Sequence, residues 1–344
     1  MNPFELAQAL GHQEIMVIRL GETGLRAVIA IHDTSLGPAV GGTRMRPYSS
    51  FDDAIIDALR LSRAMTYKAA MADMAWGGAK AVIPGDPLRD KGQAFFAAYA
   101  QALDRLGRFH TGGDMGIDAA DVAALARLTP LVSQVPLSSS VNASDLTAIG
   151  VMAGLQAAAA ALDRPLAGLH VALQGLGEVG SRLARRLAAA GGRLTVTDVV
   201  PERRERVVVE CGANVVAPEA IYDVEADVFS PCAAGGVLND RTIPRLRCRA
   251  VVGAANEQLL EPHHGNALLA RQILYAPDYL VNAGGLLSLL FERGETDEAG
   301  IVKRVEAIGP RLASLWEQAR AEGLPPQVLA DRTVEEKLAS IRRP

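Results

Sequence analysis

Along this chain the spacing of apolar residues switches between strand-like and helix-like periods, and each switch marks an element. Met16 to Leu20 and Leu25 to His32 have strand length and apolar character, and Gly21-Glu22-Thr23-Gly24 between them predicts a hairpin. From Phe51 to about Ala72 the residues are good helix formers without Gly or Pro, and Ser50 with Asp53 three positions on marks the start. Lys68 belongs to that helix. Met65, Ala64 and Leu61 precede it by three, four and seven positions, which places the ammonium on or beside the apolar face. Trp76 to Ile83 predicts a tight glycine turn running into a short buried strand with Lys80 at its start. A helix over Asp90 to Leu106 and a strand over Arg108 to Thr111 follow. That strand ends in Gly112-Gly113-Asp114-Met115-Gly116, where the flanking glycines leave Asp114 open to a small ligand, and Asp118 starts another helix.

Pro136 to Asp145 is a Ser-rich break and the candidate domain boundary. Past it, a helix over Thr147 to Leu162 leads to the apolar strand Leu169 to Gln174, then to Gly175, Gly177 and Gly180 at the opening of a helix reaching Ala190. The strand Leu194 to Thr197 ends at Asp198, about 20 residues beyond the glycines, which completes the dinucleotide-binding pattern. Backbone N–H groups at the helix start would hold a pyrophosphate. Asp198 would take the adenosine ribose hydroxyls and repel a 2′-phosphate, so NAD is predicted over NADP, with Arg203 and Arg204 softening the preference. Strands at Asp227 to Ser230, Ala250 to Gly253 and Ile273 to Ala276 end in SPCAAGG, AANEQ and APDYLVNAGG. Asn256 and Asn282 are the polar candidates there; a loop asparagine is equally a turn former. One long helix from Thr296 to about Ala321, the pair Pro325-Pro326 and a last helix to Arg342 close the chain. The fold class is α/β with two domains: an N-terminal mixed-sheet domain over 1–138 and a doubly wound Rossmann domain over 139–326.

Composition narrows the chemistry. Only Lys68, Lys80, Lys91, Lys303 and Lys337 among the 35 basic residues are lysines, and two of them lie in the stretch Gly41 to Asp86. Guanidinium serves wherever charge alone suffices, so a retained lysine argues for an amine that can release a proton. Burial of Lys80 and the charge of Lys68 both favour that release, which suits a general base; the bland reading is a pair of snorkelling surface lysines. The net charge of −4 offers nothing to nucleic acid or anionic lipid. Cys211, Cys232 and Cys248 are odd in number and lack a C-x-x-C pair, which fits a reducing cytoplasm. The N-terminal residues lack a basic-then-apolar leader and no run approaches the roughly 18 apolar residues of a membrane span, so a soluble cytoplasmic protein is expected. No H-E-x-x-H occurs, and His263-His264 lie in a polar turn with no paired cysteine or carboxylate, so a zinc site is not expected.

With both halves in view, the chain resembles the amino-acid dehydrogenases that act on leucine, valine and phenylalanine, a branch of the glutamate dehydrogenase superfamily. The resemblance covers nearly the whole chain and rests on LGPAVGGTRM, MTYKAAMAD, GGAKAVIPGDP, TGGDMG, QGLGEVG, DVFSPCAAGGVLND, GAANEQL and YAPDYLVNAGG, in that order. It implies that Lys68 binds the substrate carboxylate, Lys80 activates water and Asp114 exchanges protons with the amino group. It also implies that Gly41 and Gly42 line the substrate cleft, that Asn282 lies near substrate and nicotinamide, and that Thr147 and Asn256 lie near the nicotinamide. Gly112, Met65, Leu286 and Leu289, with Val40, would form an apolar pocket; Gly112 and Leu286 match phenylalanine-type members. An aromatic substrate is favoured, with leucine or valine next. The resemblance further implies that the helix 327–344 packs back on the first domain, and a homodimer or higher homo-oligomer is expected. The chain departs from the family at Ala79, where a third glycine is usual and a methyl beside the base would crowd the cleft or restrict the turn. It also lacks a C-terminal tail that some members use in assembly, which argues against an octamer. The competing readings are a catalytically idle NAD-binding regulator of the same fold and a hydroxy-acid dehydrogenase, for which no suitable histidine is found.

Overall fold

The computed structural model describes residues 2–21, 23–132 and 142–342. Glu22 of the hairpin turn, and Pro136 to Val141 of the Ser-rich break, lie outside the described residues. Contacts divide the chain into two compact units, Met1–Ser138 with Val334–Pro344, and Ser139–Thr333. Each is described by itself.

The first unit runs α1 (Pro3–Leu10), β1 (Glu14–Leu20), β2 (Leu25–Asp33), β3 (Ala39–Arg46), α2 (Phe51–Met71), β4 (Gly77–Pro84), α3 (Gln93–Leu106), β5 (Phe109–Gly112) and α4 (Ala119–Ala126). Its five strands lie in the order β1-β2-β4-β3-β5. The β1/β2 and β2/β4 pairs are antiparallel and the β4/β3 and β3/β5 pairs parallel, which makes the sheet mixed. Ser50 caps α2 by accepting from Asp53 N, and Asp52 and Asp53 place negative charge at the positive end of the helix. Alternation along β4 sends Ala79, Ala81 and Ile83 into a core shared with Phe95, Tyr99, Leu103 and Phe109, while Val82 joins Val28, Ala30, Ala58 and Leu59 under α2. Lys80, paired in register with Ala30, therefore lies on the α2 face, in mid-strand rather than at a strand start. Gly78 lets α2 come this close, because a Cβ there would lie 2.2 Å from Thr66 N. Strand β3 is an addition to the sequence reading: Gly41-Gly42 weakens strand propensity, and two parallel neighbours override it.

The second unit runs α5 (Ala143–Ala161), β6 (His170–Gln174), α6 (Glu178–Ala189), β7 (Arg193–Thr197), α7 (Pro201–Cys211), β8 (Asn214–Val215), β9 (Val228–Pro231), β10 (Ala250–Val251), α8 (His264–Ala270), β11 (Leu274–Tyr275), α9 (Asp278–Val281), α10 (Gly284–Glu292), α11 (Glu298–Glu306) and α12 (Ile308–Glu322). Its six strands are all parallel, in the order β11-β10-β9-β6-β7-β8. Strand order reverses between β9 and β6, the switch point at which doubly wound sheets bind ligands. The long helix expected over Thr296 to Ala321 is instead two, broken at Ala307. Pro310 explains the break: it lacks an N–H and its ring would strike the Glu306 carbonyl, but it is tolerated in the first turn of a new helix.

The last helix, α13 (Pro326–Arg342), divides at Val334 rather than at the expected 326/327 boundary. Tyr279 donates to Asp331 and Arg332 pairs with Glu322, which ties its first turns to the second unit. Beyond Val334, Tyr67 donates to Glu335, Lys337 reaches Ala70 O and Asp73, and Arg342 pairs with Asp33, all within the first unit.

Two histidines lie between α1, β2 and α2. His32 Nε2 faces the Leu10 carbonyl at 3.0 Å, so this nitrogen carries the proton, and Nδ1 accepts from Thr66 at 2.8 Å. His12 Nε2 lies 3.0 Å from Leu59 O and 2.8 Å from Ser62 Oγ, and its ring meets His32 edge-on. Burial lowers His32 to about 3, helped by His12, and lowers His12 to about 4. Because the unfolded chain protonates these rings below its ordinary 6.5 and the folded chain does not, their stabilisation is complete above that pH. It is lost progressively as pH falls towards 4 and 3. The urea midpoint should therefore drop steadily between pH 6.5 and 4, and more shallowly in His32→Gln; parallel pH dependences in the two proteins would contradict this.

Candidate functional site

Two strands of the first unit bring cations to one carboxylate, Asp114. From the α2 face of β4, Lys80 Nζ reaches Asp114 Oδ2 at 2.7 Å. From the same face of β3, Arg44 Nε reaches that oxygen at 2.9 Å and Arg44 Nη1 reaches Asp57 Oδ2 on α2 at 3.1 Å. Tyr48 also donates to Asp57. Lys80 is 6% and Arg44 9% exposed, so both cations are withdrawn from water and each has a carboxylate partner. Burial pushes the Asp114 carboxyl up, but the adjacent Lys80 and Arg44 charges outweigh it and hold the group down at about 2. It is a carboxylate at any physiological pH.

Glycine shapes the space beside this pair. A Cβ on Gly42 would lie 2.8 Å from Gly113 O, 3.1 Å from Asp114 Cβ and 3.2 Å from Lys80 Nζ, so only hydrogen fits there. Gly41 has the same restriction for a structural reason, since its Cβ would strike Ala79 O on the neighbouring strand. Gly112 pairs with Gly42 across β5 and β3, and a Cβ on it would meet nothing within 4 Å. Val40 is buried on β3. Lys68 lies half-buried in the last turn of α2, with Met65 half-buried one turn earlier. The expected crowding by Ala79 is corrected: its methyl is fully buried in the core on the sheet face opposite Lys80. Arg44 and Asp57 were missed. The signal available was an arginine two residues after the glycine pair in a strand, which needs a carboxylate wherever it is buried.

In the second unit Gly175 has φ +93°, a left-handed turn that glycine adopts without strain, and a Cβ on Gly180 would lie 2.0 Å from Gly175 O. Gly177 is the N-cap of α6 without any side-chain cap, and a Cβ there would project into open space. Uncapped N–H groups facing open space fit a pyrophosphate. Asp198, 7% exposed, accepts from Leu176 N at 2.6 Å and Val200 N at 2.8 Å, so it pins the glycine loop as well as closing β7. Lone pairs remain on both oxygens for ribose hydroxyls. Arg203 Nη1 lies 3.8 Å away. Asn282 Nδ2 donates to Asn256 Oδ1 at 2.8 Å and to Ala254 O at 3.1 Å, and its buried Oδ1 has no protein partner. An orphaned acceptor of this kind fits an amide donor such as a nicotinamide carboxamide. Thr147 donates to Ala143 O on α5 and would lie 3.1 Å from a Cβ on Gly285. Leu286 is buried and Leu289 half-buried on α10.

Comparison with known proteins shows the family. The family model described as Glu/Leu/Phe/Val dehydrogenase, dimerisation domain, matches residues 12–132, and the Glutamate/Leucine/Phenylalanine/Valine dehydrogenase model matches residues 196–307. The chain belongs to the Glu/Leu/Phe/Val dehydrogenase family. It is 42% identical to leucine dehydrogenase of Thermoactinomyces intermedius over 100% of this chain and 95% of that one. It is 43% identical to phenylalanine dehydrogenase of Caldalkalibacillus thermarum (strain TA2.A1), over 98% and 94%. Among solved structures, L-tryptophan dehydrogenase from Nostoc punctiforme superposes with a TM-score of 0.83 at 40% identity, covering 99% of each chain. Family membership makes the chain an amino-acid dehydrogenase that uses a nicotinamide dinucleotide. No helix among the described residues is long and apolar enough to cross a membrane.

The charge network makes its own prediction. Arg44→Met leaves Asp57 and Asp114 short of a partner and should cost about 3 kcal/mol of stability. It also removes one of the charges that hold Asp114 down. The Asp114 contribution is present above the ordinary carboxyl value of 3.8 and lost as pH falls towards 2; in Arg44→Met this loss should move to higher pH. Chemical denaturation at neutral and acid pH reads both effects, and an unchanged acid limb would contradict the second.

Proposed function

We propose that this chain catalyses the NAD-dependent, reversible oxidative deamination of a nonpolar L-amino acid to the 2-oxo acid, ammonia and NADH. The observation that carries the proposal is the contact of buried Lys80 with half-buried Asp114 at 2.7 Å beside Gly42. When bound, the dinucleotide supplies the hydride acceptor. Lys68 anchors the substrate carboxylate; Lys80, after passing its own proton to Asp114, accepts one from the water that attacks the iminium, and Asp114 passes the proton it took up to the substrate nitrogen so that it leaves as ammonia. The two proton events are coupled: once Lys80 has released its proton, one of the charges holding Asp114 down is gone and the carboxylate takes up a proton more readily.

Thr147, Asn256 and Asn282 are assigned to the nicotinamide, and Gly175, Gly177 and Gly180 to the pyrophosphate. Asp198 favours NAD because a buried negative charge repels a 2′-phosphate, with Arg203 offsetting part of that repulsion. Val40, Met65 and Gly112 in the first unit, and Leu286 and Leu289 in the second, are assigned to recognition of the substrate side chain. Glycine at 112 leaves room for a ring, which favours an aromatic substrate over leucine or valine. Burial pushes the Cys248 thiol up to about 11, and unreactive free thiols suit a cytoplasmic protein. Homo-oligomeric assembly through residues 12–132 completes the reading.

Lys80→Ala should lower turnover by at least about a hundredfold while circular dichroism stays unchanged; near-normal turnover would remove Lys80 as the base. Initial rates of NADH or NADPH formation from Leu, Val, Phe and Trp should be highest with an aromatic substrate and NAD. Gly112→Ala should fold normally and shift kcat/KM towards leucine by about tenfold. A clear preference of the unmodified enzyme for valine would overturn the aromatic assignment.

A further inference from the structure

The carboxylate that meets His263-His264 comes from a segment distant in sequence. The segments after β9 and β10 run side by side: Leu238 and Leu259 form a parallel bridge, Gly236 N donates to Glu257 O, Leu238 N to Gln258 O, and Leu260 N to Leu238 O. This pairing brings Asp240 to the start of α8. Asp240 Oδ1 lies 3.2 Å from His264 Nε2 and 3.7 Å from His263 Nε2, and the two rings lie 4.1 Å apart between centroids. Each residue thus offers one ligand atom, all within 4.8 Å of one another.

We propose that Asp240, His263 and His264 form a three-ligand site for a late first-row divalent cation, zinc above all. Metal–ligand bonds of about 2.0–2.1 Å in a tetrahedron separate neighbouring ligand atoms by roughly 3.3 Å, close to the spacings found. His264 is buried and already oriented, and the other two ligands are exposed, so they can close the remaining gap by rotating. His264 Nδ1 sits 2.9 Å from Glu261 N and 3.1 Å from Glu261 O. Without an ion, Glu261 N–H donates to Nδ1, so the ring proton lies on Nε2 and faces Asp240; zinc binding moves that proton to Nδ1, which turns from accepting the Glu261 N–H to donating to the Glu261 carbonyl and frees the Nε2 lone pair. Two imidazoles and one carboxylate favour zinc over the all-oxygen cations, and solvent fills the fourth position. The ion would clip the segment after β9 to the one after β10. Gln258 anchors the second segment through Gly253 O and Ala255 O, and Asn256 lies on it. Metal binding would therefore stiffen the support of Asn256 without touching Lys80 or Asp114.

The test uses the full chain without an affinity tag, stripped with chelator, titrated with zinc chloride by calorimetry and melted over a zinc series. One zinc ion per chain should bind saturably and raise the melting midpoint with concentration. His263→Ala and Asp240→Ala, both at exposed positions, should each weaken zinc binding by at least about tenfold with unchanged midpoints in the absence of metal. Magnesium should leave the midpoint unmoved. Absence of saturable zinc binding, unchanged affinity in both variants, or an equal response to magnesium would overturn the proposal. None of these readouts depends on dehydrogenase activity, so the site and the proposed function stand or fall separately.

Discussion

Much of the first unit's architecture follows from the need to hold two buried cations against two half-buried carboxylates. Lys80, Arg44, Asp114 and Asp57 come from two strands, the loop after a third and a helix, and removal of any one leaves a charge stranded away from water. That requirement fixes the register of β3 against β4, since a slip of β3 by one residue would send Arg44 to the face occupied by Tyr99 and Phe109, away from Lys80. It also fixes α2, which must present Asp57 to Arg44 and press its Thr66 turn against Gly78. Stability and chemistry are thereby linked, because the charges that balance the cluster are those that keep Asp114 ionised.

Glycine makes the complementary contribution in both units. At Gly41, Gly78 and Gly180 the missing Cβ permits backbone contacts that no other residue allows. At Gly112 and Gly177 it leaves open space, and at Gly42 it lets Gly113 O, Asp114 and Lys80 close in on the strand. The two uses occur side by side in Gly41-Gly42 because successive strand residues face opposite sides. The same alternation makes Ala79 harmless to Lys80: an extra methyl on the core face fills the interior instead of the site.

In the second unit the polar groups at the strand ends hold one another. Asp198 ties the glycine loop to the end of β7, and Asn282 ties the turn before α10 to Asn256 and Ala254. These bonds pre-set the loops before any dinucleotide arrives, so less ordering entropy is lost on binding. The paired segments carrying Asp240 and His264 extend this bracing outward from the same strand ends.

Periodicity and local chemistry alone determined the hairpin, α2 with its Ser50 cap, the glycine fingerprint closed by Asp198, and the mixed and parallel character of the two sheets. These depend on contacts a few residues apart or on steric limits each residue carries with it. Lys80 and Asp114 were visible as candidates because lysine is scarce here and the aspartate is flanked by glycines. Only the tertiary structure decided that Arg44 and Asp57 complete their cluster, that Ala79 faces the core, and that Asp240 lies against His264. Each is set by register or by strand pairing between segments distant in sequence, and one-dimensional spacing carries no record of which segments become neighbours.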